Sequence, residues 1–122
     1  MKKLLIVATA LLSTTAQAQT IAQPTNQALT CAALAYNISM SYRGINTHME
    51  NTYFAVTDKL LSVATYEVEL EQAKVAIANR AAKIYESNLP VSELVRGFNE
   101  STNLPLGMTC RDFYNSFSND KL

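Results

Sequence analysis

The sequence predicts an all-α protein, a small bundle of four to five helices joined by one disulfide. Apolar residues recur at steps of three and four along most of the chain, which is the spacing of a helix with one buried face. The chain contains only three glycines and three prolines, and most of them fall between the periodic segments, where helices are expected to end. Residues 66–70 alternate as a strand does, but a single strand of five residues makes no sheet.

The first residues of the chain predict export. Lys2 and Lys3 precede an apolar run at residues 4–12, and Ala16 and Ala18 form a small-x-small site, which is the order of a secretory signal peptide cleaved after Ala18. A membrane anchor is disfavoured, because the run is shorter than the roughly 20 residues that span a bilayer. We therefore expect residues 1–18 to be removed and the mature protein to be periplasmic or secreted.

The size and charge of the remaining chain restrict the partners. It is long enough for one domain and not for two. Cleavage removes two lysines and no acidic residue, which leaves a net charge of −2. Nucleic acid and anionic membrane surfaces are not expected partners, because both require concentrated positive charge. A protein or a neutral small molecule remains open as a partner.

The start of the mature chain predicts a leader followed by a helix. Residues 19–27 are polar, contain Pro24 and show no period, so we expect a flexible leader before a single helical domain at residues 28–122. The first helix is expected to begin near Ala28 or Thr30 and to end at Arg43, because Gly44 suits the left-handed conformation that follows a helix. Its expected buried stripe consists of Cys31, Leu34, Ala35, Ile38 and Tyr42.

The middle of the chain predicts two further helices. Thr47, followed three residues later by Glu50, is a capping box that marks a helix start. Two apolar stripes follow in different registers, one over residues 49–63 and one over residues 70–84. The change near Thr65 indicates two helices or one bent helix, and two agree better with a mean helix length of about 11–12 residues.

The last part predicts two short helices and a loop. Pro90 ends the preceding helix, since the residue before a proline avoids the helical conformation. A short helix is expected over residues 91–98 and a loop over residues 99–107. Thr109 then caps a final helix that carries Phe113 and Phe117 on one face.

Two cysteines in an exported chain predict one disulfide, between Cys31 and Cys110. It closes a loop of about 80 residues, for which the chain-entropy treatment gives roughly 4.5 kcal/mol of stabilisation. A redox role for free thiols is disfavoured, because the sequence has no C-x-x-C pair. Both cysteines follow a threonine at an expected helix start, so we expect the disulfide to join the beginning of the first helix to the beginning of the last.

Catalysis, metal binding and cofactors are not expected. His48 is the single histidine, and no local pattern supplies the nucleophile and carboxylate that a catalytic histidine needs. Paired cysteines, one histidine and scattered carboxylates do not make a zinc ligand set. Glu67 and Glu71 are one helical turn apart, so we expect them to share a helix face, and two carboxylates can hydrolyse a glycosidic bond. A solvated helix face is the simpler interpretation of this pair.

Two segments are predicted to contact a partner protein. A turn after the first helix carries tyrosine and arginine, which are enriched at protein interfaces, and the loop before the last helix carries apolar residues beside Pro105. Ordinary packing is the alternative for the two leucines of the loop. The candidate contact residues are Tyr42, Arg43, Asn46, Asn103, Leu104 and Leu106.

The closing segment resembles a known family. Residues 104–116 read LPLGMTCRDFYNS and look like the closing segment of periplasmic type VI secretion amidase immunity proteins, in which a cysteine, a short step and an aromatic region precede Asn/His-Ser. The early cysteine of the first helix, Cys31, also resembles that layout. The resemblance implies a small helical protein that blocks a competitor's cell-wall amidase through its loops. It transfers the cysteine pair and no inhibitory residue.

The leading hypothesis from the sequence is an exported binding or inhibitor protein of the immunity type, which covers the active cleft of another protein, such as a periplasmic hydrolase. A homodimer is compatible with it. The alternatives are a periplasmic acid-stress chaperone, activated when its carboxylates are protonated, and a hydrolase that uses the Glu67 and Glu71 pair.

Overall fold

A computed structural model describes residues 21–122, so the predicted signal peptide lies outside the described residues. Five helices and no strand occur in this part of the chain: α1 (Gln23–Tyr42), α2 (Thr47–Ala64), α3 (Leu70–Glu86), α4 (Val91–Glu100) and α5 (Cys110–Asn115). The predicted all-α class, the number of helices and the Cys31–Cys110 disulfide are confirmed. No helix within residues 21–122 combines the length and the apolar character that a membrane crossing requires.

The first helix, α1, is the centre of the fold. Eleven of its 20 residues are buried, and α2, α3 and α4 all pack against it. The sequence predicts one buried stripe, but α1 is apolar on several sides, as expected for a helix that is surrounded. Small side chains allow the neighbouring helices to approach its backbone closely. The fully buried alanines of α1 are Ala28, Ala32, Ala33 and Ala35.

The prediction of a flexible leader is wrong for residues 23–27, which form the first turns of α1. Pro24 lies in the first turn, where the missing N–H of proline leaves no hydrogen bond unmade. Gln27 is fully buried. The N–H of Ala22 donates to both carboxylate oxygens of Glu67, at 3.2 and 3.3 Å, so a negative charge faces the positive end of the helix. Residues 19 and 20 lie outside the described part.

The turn between α1 and α2 agrees with the sequence except for its cap. Gly44 has φ +79°, the left-handed conformation predicted to end α1. The capping residue of α2 is Asn46 and not Thr47, because the Asn46 side chain accepts from the N–H of Met49 at 3.0 Å. Thr47 is already helical, so the predicted capping box of Thr47 and Glu50 is wrong. The residue three positions after Asn46 is Met49, whose side chain cannot return a hydrogen bond as a capping box requires.

The later elements follow the predicted order. Residues 65–69 separate α2 from α3, so the register change marks two helices. The α4 helix starts after Pro90 as expected and ends at Glu100, two residues later than predicted. Thr109 caps α5, since its hydroxyl accepts from the N–H of Asp112 at 3.0 Å.

The disulfide joins the interior of α1 to the start of α5. Cys110 is the first residue of α5, as predicted, whereas α1 begins eight residues before Cys31. The link therefore holds α1 about two turns inside the helix and not at its beginning. Both cysteines are fully buried.

Candidate functional site

A groove runs between α2 and α3, with α1 as its floor. Both helices pack along α1, but they touch each other only slightly. The space between them has a volume of about 640 Å³. Its floor and α2 wall consist of Tyr36, Asn37, Met40, Phe54, Thr57 and Leu61. Its α3 wall consists of Lys74, Ile77, Ala78, Ala81, Ala82 and Tyr85.

The rim of the groove exposes large aromatic side chains. Tyr85 is 79% exposed, Phe54 50% and Tyr36 40%. Most of the remaining lining is aliphatic, so the groove presents a continuous apolar surface to solvent. Concave apolar surfaces with a few polar groups are the usual form of binding sites in proteins.

The polar groups of the groove are few, and most have internal partners. The Asn37 amide donates to the carbonyls of Ala33 and Ala81, at 3.2 and 3.0 Å, which ties α1 to α3 and fixes the amide orientation. The Thr57 hydroxyl donates to a carbonyl of its own helix at 2.8 Å. Lys74 is the only charged side chain among the lining residues, and its Nζ lies 3.5 Å from a carboxylate oxygen of Glu71.

The disulfide lies behind the floor of the groove. At about 100° per residue, Cys31 is about 140° around α1 from Tyr36 and about 180° from Met40. The α4 helix packs on this rear side, where a Cβ on Gly97 would lie 4.0 Å from the Leu34 side chain. The floor of the groove is therefore supported by α4, α5 and a covalent link.

The predicted contact residues of the turn have mostly structural roles. Tyr42 is partly buried against the core, and Asn46 caps α2. Arg43 is exposed, with its Nε 3.9 Å from a carboxylate oxygen of Glu50. Of these three side chains, Arg43 and Asn46 are exposed to solvent, and Asn46 is engaged as the cap of α2.

The predicted contact loop is clamped onto α1. The Gln27 amide accepts from the N–H of Leu106 and donates to the carbonyl of Met108, both at 3.0 Å. Leu104 packs against the core, so the alternative interpretation of ordinary packing is correct for this leucine. Leu106 is 39% exposed and Asn103 is exposed, so the loop presents these two side chains.

The turn and the loop do not form one surface. The loop contacts α1 at Gln27, and the turn begins after Tyr42, so their positions on α1 are about 22 Å apart along the helix axis. Neither segment contributes to the groove. The sequence does contain a signal for the groove, a second apolar stripe on α3 formed by Ala78, Ala82 and Tyr85 outside the stripe predicted to be buried.

The acidic pair and the histidine occupy separate places. Glu67 precedes α3 and caps α1, whereas Glu71 lies in α3 beside Lys74. The two carboxylates therefore do not share a helix face, and the prediction that they do is wrong. His48 is exposed in the first turn of α2. Within the described chain, no three His, Cys, Asp or Glu side chains are grouped as a metal site requires.

Three ionisable groups of the described residues have shifted pKa values. The hydrogen bond that the exposed Arg96 donates to Glu93 raises the pKa of Arg96, and burial is the main cause of the other two shifts. Burial raises the pKa of Tyr53, the nearby Tyr42 raises it further, and Arg111 lowers it. Burial lowers the pKa of Arg80. Arg80 donates to the Asn26 side chain at 3.2 Å through Nη2, while its Nη1 has no hydrogen-bond partner in residues 21–122.

No protein-family model, curated protein or solved structure matches this chain. The resemblance of residues 104–116 to amidase immunity proteins stays a prediction. What the structure defines is a disulfide-linked helical bundle with an open apolar groove on one side of its central helix.

Proposed function

We propose that this chain is an exported binding protein that acts by covering part of another protein and carries out no reaction itself. The groove between α2 and α3 supports this proposal. It holds about 640 Å³ of space and exposes Tyr36, Phe54 and Tyr85, and burial of such apolar surface contributes about 25 cal/mol per Å². Tyrosine is one of the residue types enriched among the few positions that contribute most of the binding energy at protein interfaces.

A rigid scaffold favours this mode of action. Binding is weakened when side chains and loops must be ordered on contact. Here the groove floor lies on a central helix that the disulfide holds from behind, and the Asn37 amide fixes the spacing of α1 and α3. The binding surface therefore exists before the partner arrives, which lowers the entropy cost of association.

The periplasm is the compartment that we propose for this activity. A fully buried disulfide is compatible with an oxidising compartment, and the first 18 residues have the pattern of a signal peptide. The resemblance of residues 104–116 to amidase immunity proteins suggests the partner in this compartment. That partner is a cell-wall amidase, whose cleft the protein blocks.

The test is inhibition of purified periplasmic cell-wall amidases by the processed chain. We expect one amidase of a panel to form a complex stable in size-exclusion chromatography and to release fewer peptidoglycan fragments. Ala82→Arg places a long charged side chain in the groove at an exposed helical position, where arginine is well tolerated, and should abolish the complex.

The matched control is Asn79→Arg, which adds the same side chain on the outer surface of α3. This variant should inhibit as the wild type does. Failure of every amidase to bind would contradict the proposal that the partner is an amidase. Equal inhibition by both variants would contradict the proposal that the groove is the binding surface.

A further inference from the structure

The C-terminal segment, residues 110–122, makes its polar contacts with itself. Its hydrogen bonds stay inside the segment or reach back no further than Thr109. Asn115, for example, exchanges two hydrogen bonds with the backbone of Leu122, at 3.4 and 2.8 Å. Among the described residues, no hydrogen bond or ion pair joins this segment to the chain before Thr109. Polar contacts therefore do not hold the segment against α1.

Apolar packing and one covalent bond hold the segment in place. The ring of Phe117 lies edge-on to those of Phe113 and Tyr114, with centroids 5.3 and 6.0 Å apart, so part of the aromatic packing is internal to the segment. Phe113 and Tyr114 also belong to the buried core. The α5 helix packs against α4 and touches α1 only slightly. The disulfide is the one covalent link between the segment and α1.

The loop before the segment is fixed in a different way. The Gln27 amide of α1 accepts from the N–H of Leu106 and donates to the carbonyl of Met108, both at 3.0 Å. These bonds end at Met108, and those of the C-terminal segment begin at Thr109. Thr109 is therefore the hinge about which the segment can move while the loop stays on α1.

The burial of both sulfurs requires an open form of the chain. Cys31 and Cys110 are fully buried, and a disulfide forms when a thiolate attacks a sulfur of the oxidant and passes through a mixed disulfide. An oxidant cannot reach either thiol in the closed structure, so it must react while the segment is away from α1. The length of α5 favours such a form, because a helix of six residues is not stable without its tertiary contacts.

We propose that the C-terminal segment is a cover whose position is controlled by the redox state of the two cysteines. While both cysteines are thiols, helices α1 to α4 are folded and the segment is open at Thr109. Once the disulfide forms, the segment lies over the rear side of α1. This inference concerns the maturation of the chain and goes beyond the binding activity proposed above.

The cover closes by thiol exchange with an oxidising disulfide, such as that of a periplasmic dithiol oxidant. The thiolate of Cys110, which lies on the moving segment, attacks one oxidant sulfur, and the other oxidant sulfur leaves as a thiol. The thiolate of Cys31 then attacks the Cys110 sulfur and releases the oxidant. Two electrons and two protons pass from the chain to the oxidant, which ends as a dithiol. Because the cytoplasm keeps thiols reduced, closure is expected after export.

Alkylation by iodoacetamide tests whether the segment is open without the disulfide. The Cys31→Ala variant leaves Cys110 as a single thiol. We expect this thiol to react within about threefold of its rate in the urea-unfolded chain, since an open segment leaves it exposed. The matched control is Ser39→Cys in the Cys31→Ala, Cys110→Ala background, because Ser39 is fully buried in α1 and cysteine differs from serine by one atom. The control thiol should react at least about tenfold more slowly than in urea.

Hydrogen exchange of the reduced wild type locates the hinge. The chain is unfolded in urea with dithiothreitol, returned to buffer with the same reductant, and compared with the oxidised chain. We expect at least about tenfold faster exchange in the reduced chain at the amides of Phe113 and Ser116, whose acceptors lie in the segment or at Thr109. The N–H of Leu106 should stay equally protected in both forms, because its acceptor is Gln27.

Two outcomes overturn the inference. Slow alkylation of Cys110, with unchanged exchange at Phe113, would show that apolar packing keeps the segment closed without the bond. Fast alkylation of both Cys110 and the Ser39→Cys thiol would show that helices α1 to α4 do not fold before oxidation. Neither outcome affects the proposed function, which is tested on the oxidised chain.

Discussion

Gln27 is a polar side chain in a fully buried position. Both the oxygen and the nitrogen of its amide form hydrogen bonds. It accepts from the N–H of Leu106 and donates to the carbonyl of Met108, 79 and 81 residues later in the chain. Backbone groups of a loop that packs on a helix need such partners, because a buried polar group left without one costs about 1–3 kcal/mol. The amide of Gln27 thus attaches the loop before α5 to the central helix.

Replacing this amide should loosen the loop. We expect Gln27→Leu to lower the free energy of unfolding by about 2–4 kcal/mol, since two loop groups lose their partner, and to speed hydrogen exchange at Leu106. Urea unfolding followed by circular dichroism measures the first effect and NMR the second. Gln72→Leu, at an exposed position of α3, is the matched control and should change stability by less than about 0.5 kcal/mol. An unchanged Leu106 exchange rate would refute the clamp.

Tyr53 makes stability depend on alkaline pH. Its ring packs edge-on against Phe98 with centroids 5.7 Å apart, and burial raises its pKa. The ordinary tyrosine pKa is about 10, so above this pH the unfolded chain loses the Tyr53 proton before the folded protein does. The free energy of unfolding is therefore unaffected by this group below about pH 10 and falls as pH rises through the window up to the folded pKa.

The test compares unfolding curves of the wild type and Tyr53→Phe between neutral pH and pH about 11. The variant keeps the ring and should show a weaker loss of stability above pH about 10. Tyr66→Phe removes a hydroxyl from a residue that is 93% exposed and serves as the control, with the wild-type profile expected. Identical profiles for wild type and Tyr53→Phe would show that this tyrosine does not titrate as argued.

The start of α2 depends on a single side chain. Asn46 accepts from the N–H of Met49, one of the four amides that a helix start leaves without an internal partner. We expect Asn46→Ala to cost about 1 kcal/mol. Thr47→Ala tests the competing prediction from the sequence and should cost less, because Thr47 already lies inside the helix. Thermal unfolding followed by circular dichroism ranks the stabilities of the two variants. A larger loss of stability for Thr47→Ala than for Asn46→Ala would identify Thr47 as the capping residue.

Local signals predicted the helices well. Gly44, the register change near Thr65, Pro90 and Thr109 each act through neighbouring residues, so the sequence alone places the corresponding boundaries to within a few residues. The beginning of α1 was missed for the opposite reason. Its first turns look polar, but Thr25 and Gln27 are buried there, and Gln27 bonds a loop that is distant in sequence.

The groove escaped prediction because it depends on how helices are placed relative to one another. The stripe of Ala78, Ala82 and Tyr85 is visible in the sequence, but a second apolar stripe on a helix is equally consistent with more core. Only the small contact between α2 and α3 shows that these side chains face an open space. The predicted turn and loop rested on residue types. That reasoning cannot reveal that Asn46 is a cap, or decide which of the two loop leucines, Leu104 or Leu106, packs against the core.

The whole molecule is organised around two opposite sides of α1. One side forms the floor of the groove, and the other carries the disulfide and packs against α4. Because α5 has only six residues, it is too short to be a stable helix by itself. Its position depends on its contacts with α4 and on the covalent link to α1. The disulfide therefore holds the rear of the bundle together while the front stays open.

Removal of the disulfide tests this organisation. Its cysteines are 79 residues apart in sequence, for which chain entropy gives an upper value of about 4.5 kcal/mol, a large part of the roughly 5–15 kcal/mol that stabilises a domain. We expect the double variant Cys31→Ala, Cys110→Ala to lose about 2–4 kcal/mol. The chain has no tryptophan, so circular dichroism in urea is the suitable measurement.

Burial of the sulfurs adds a second expectation. Both cysteines are fully buried, so a thiol reductant should not reach the bond while the protein is folded and should cleave it once urea unfolds the chain. Alkylation followed by mass spectrometry counts the thiols in each condition. Rapid reduction of the folded protein would mean that α5 opens from α1 without global unfolding, and the bond would then not hold the rear of the bundle as a permanent link.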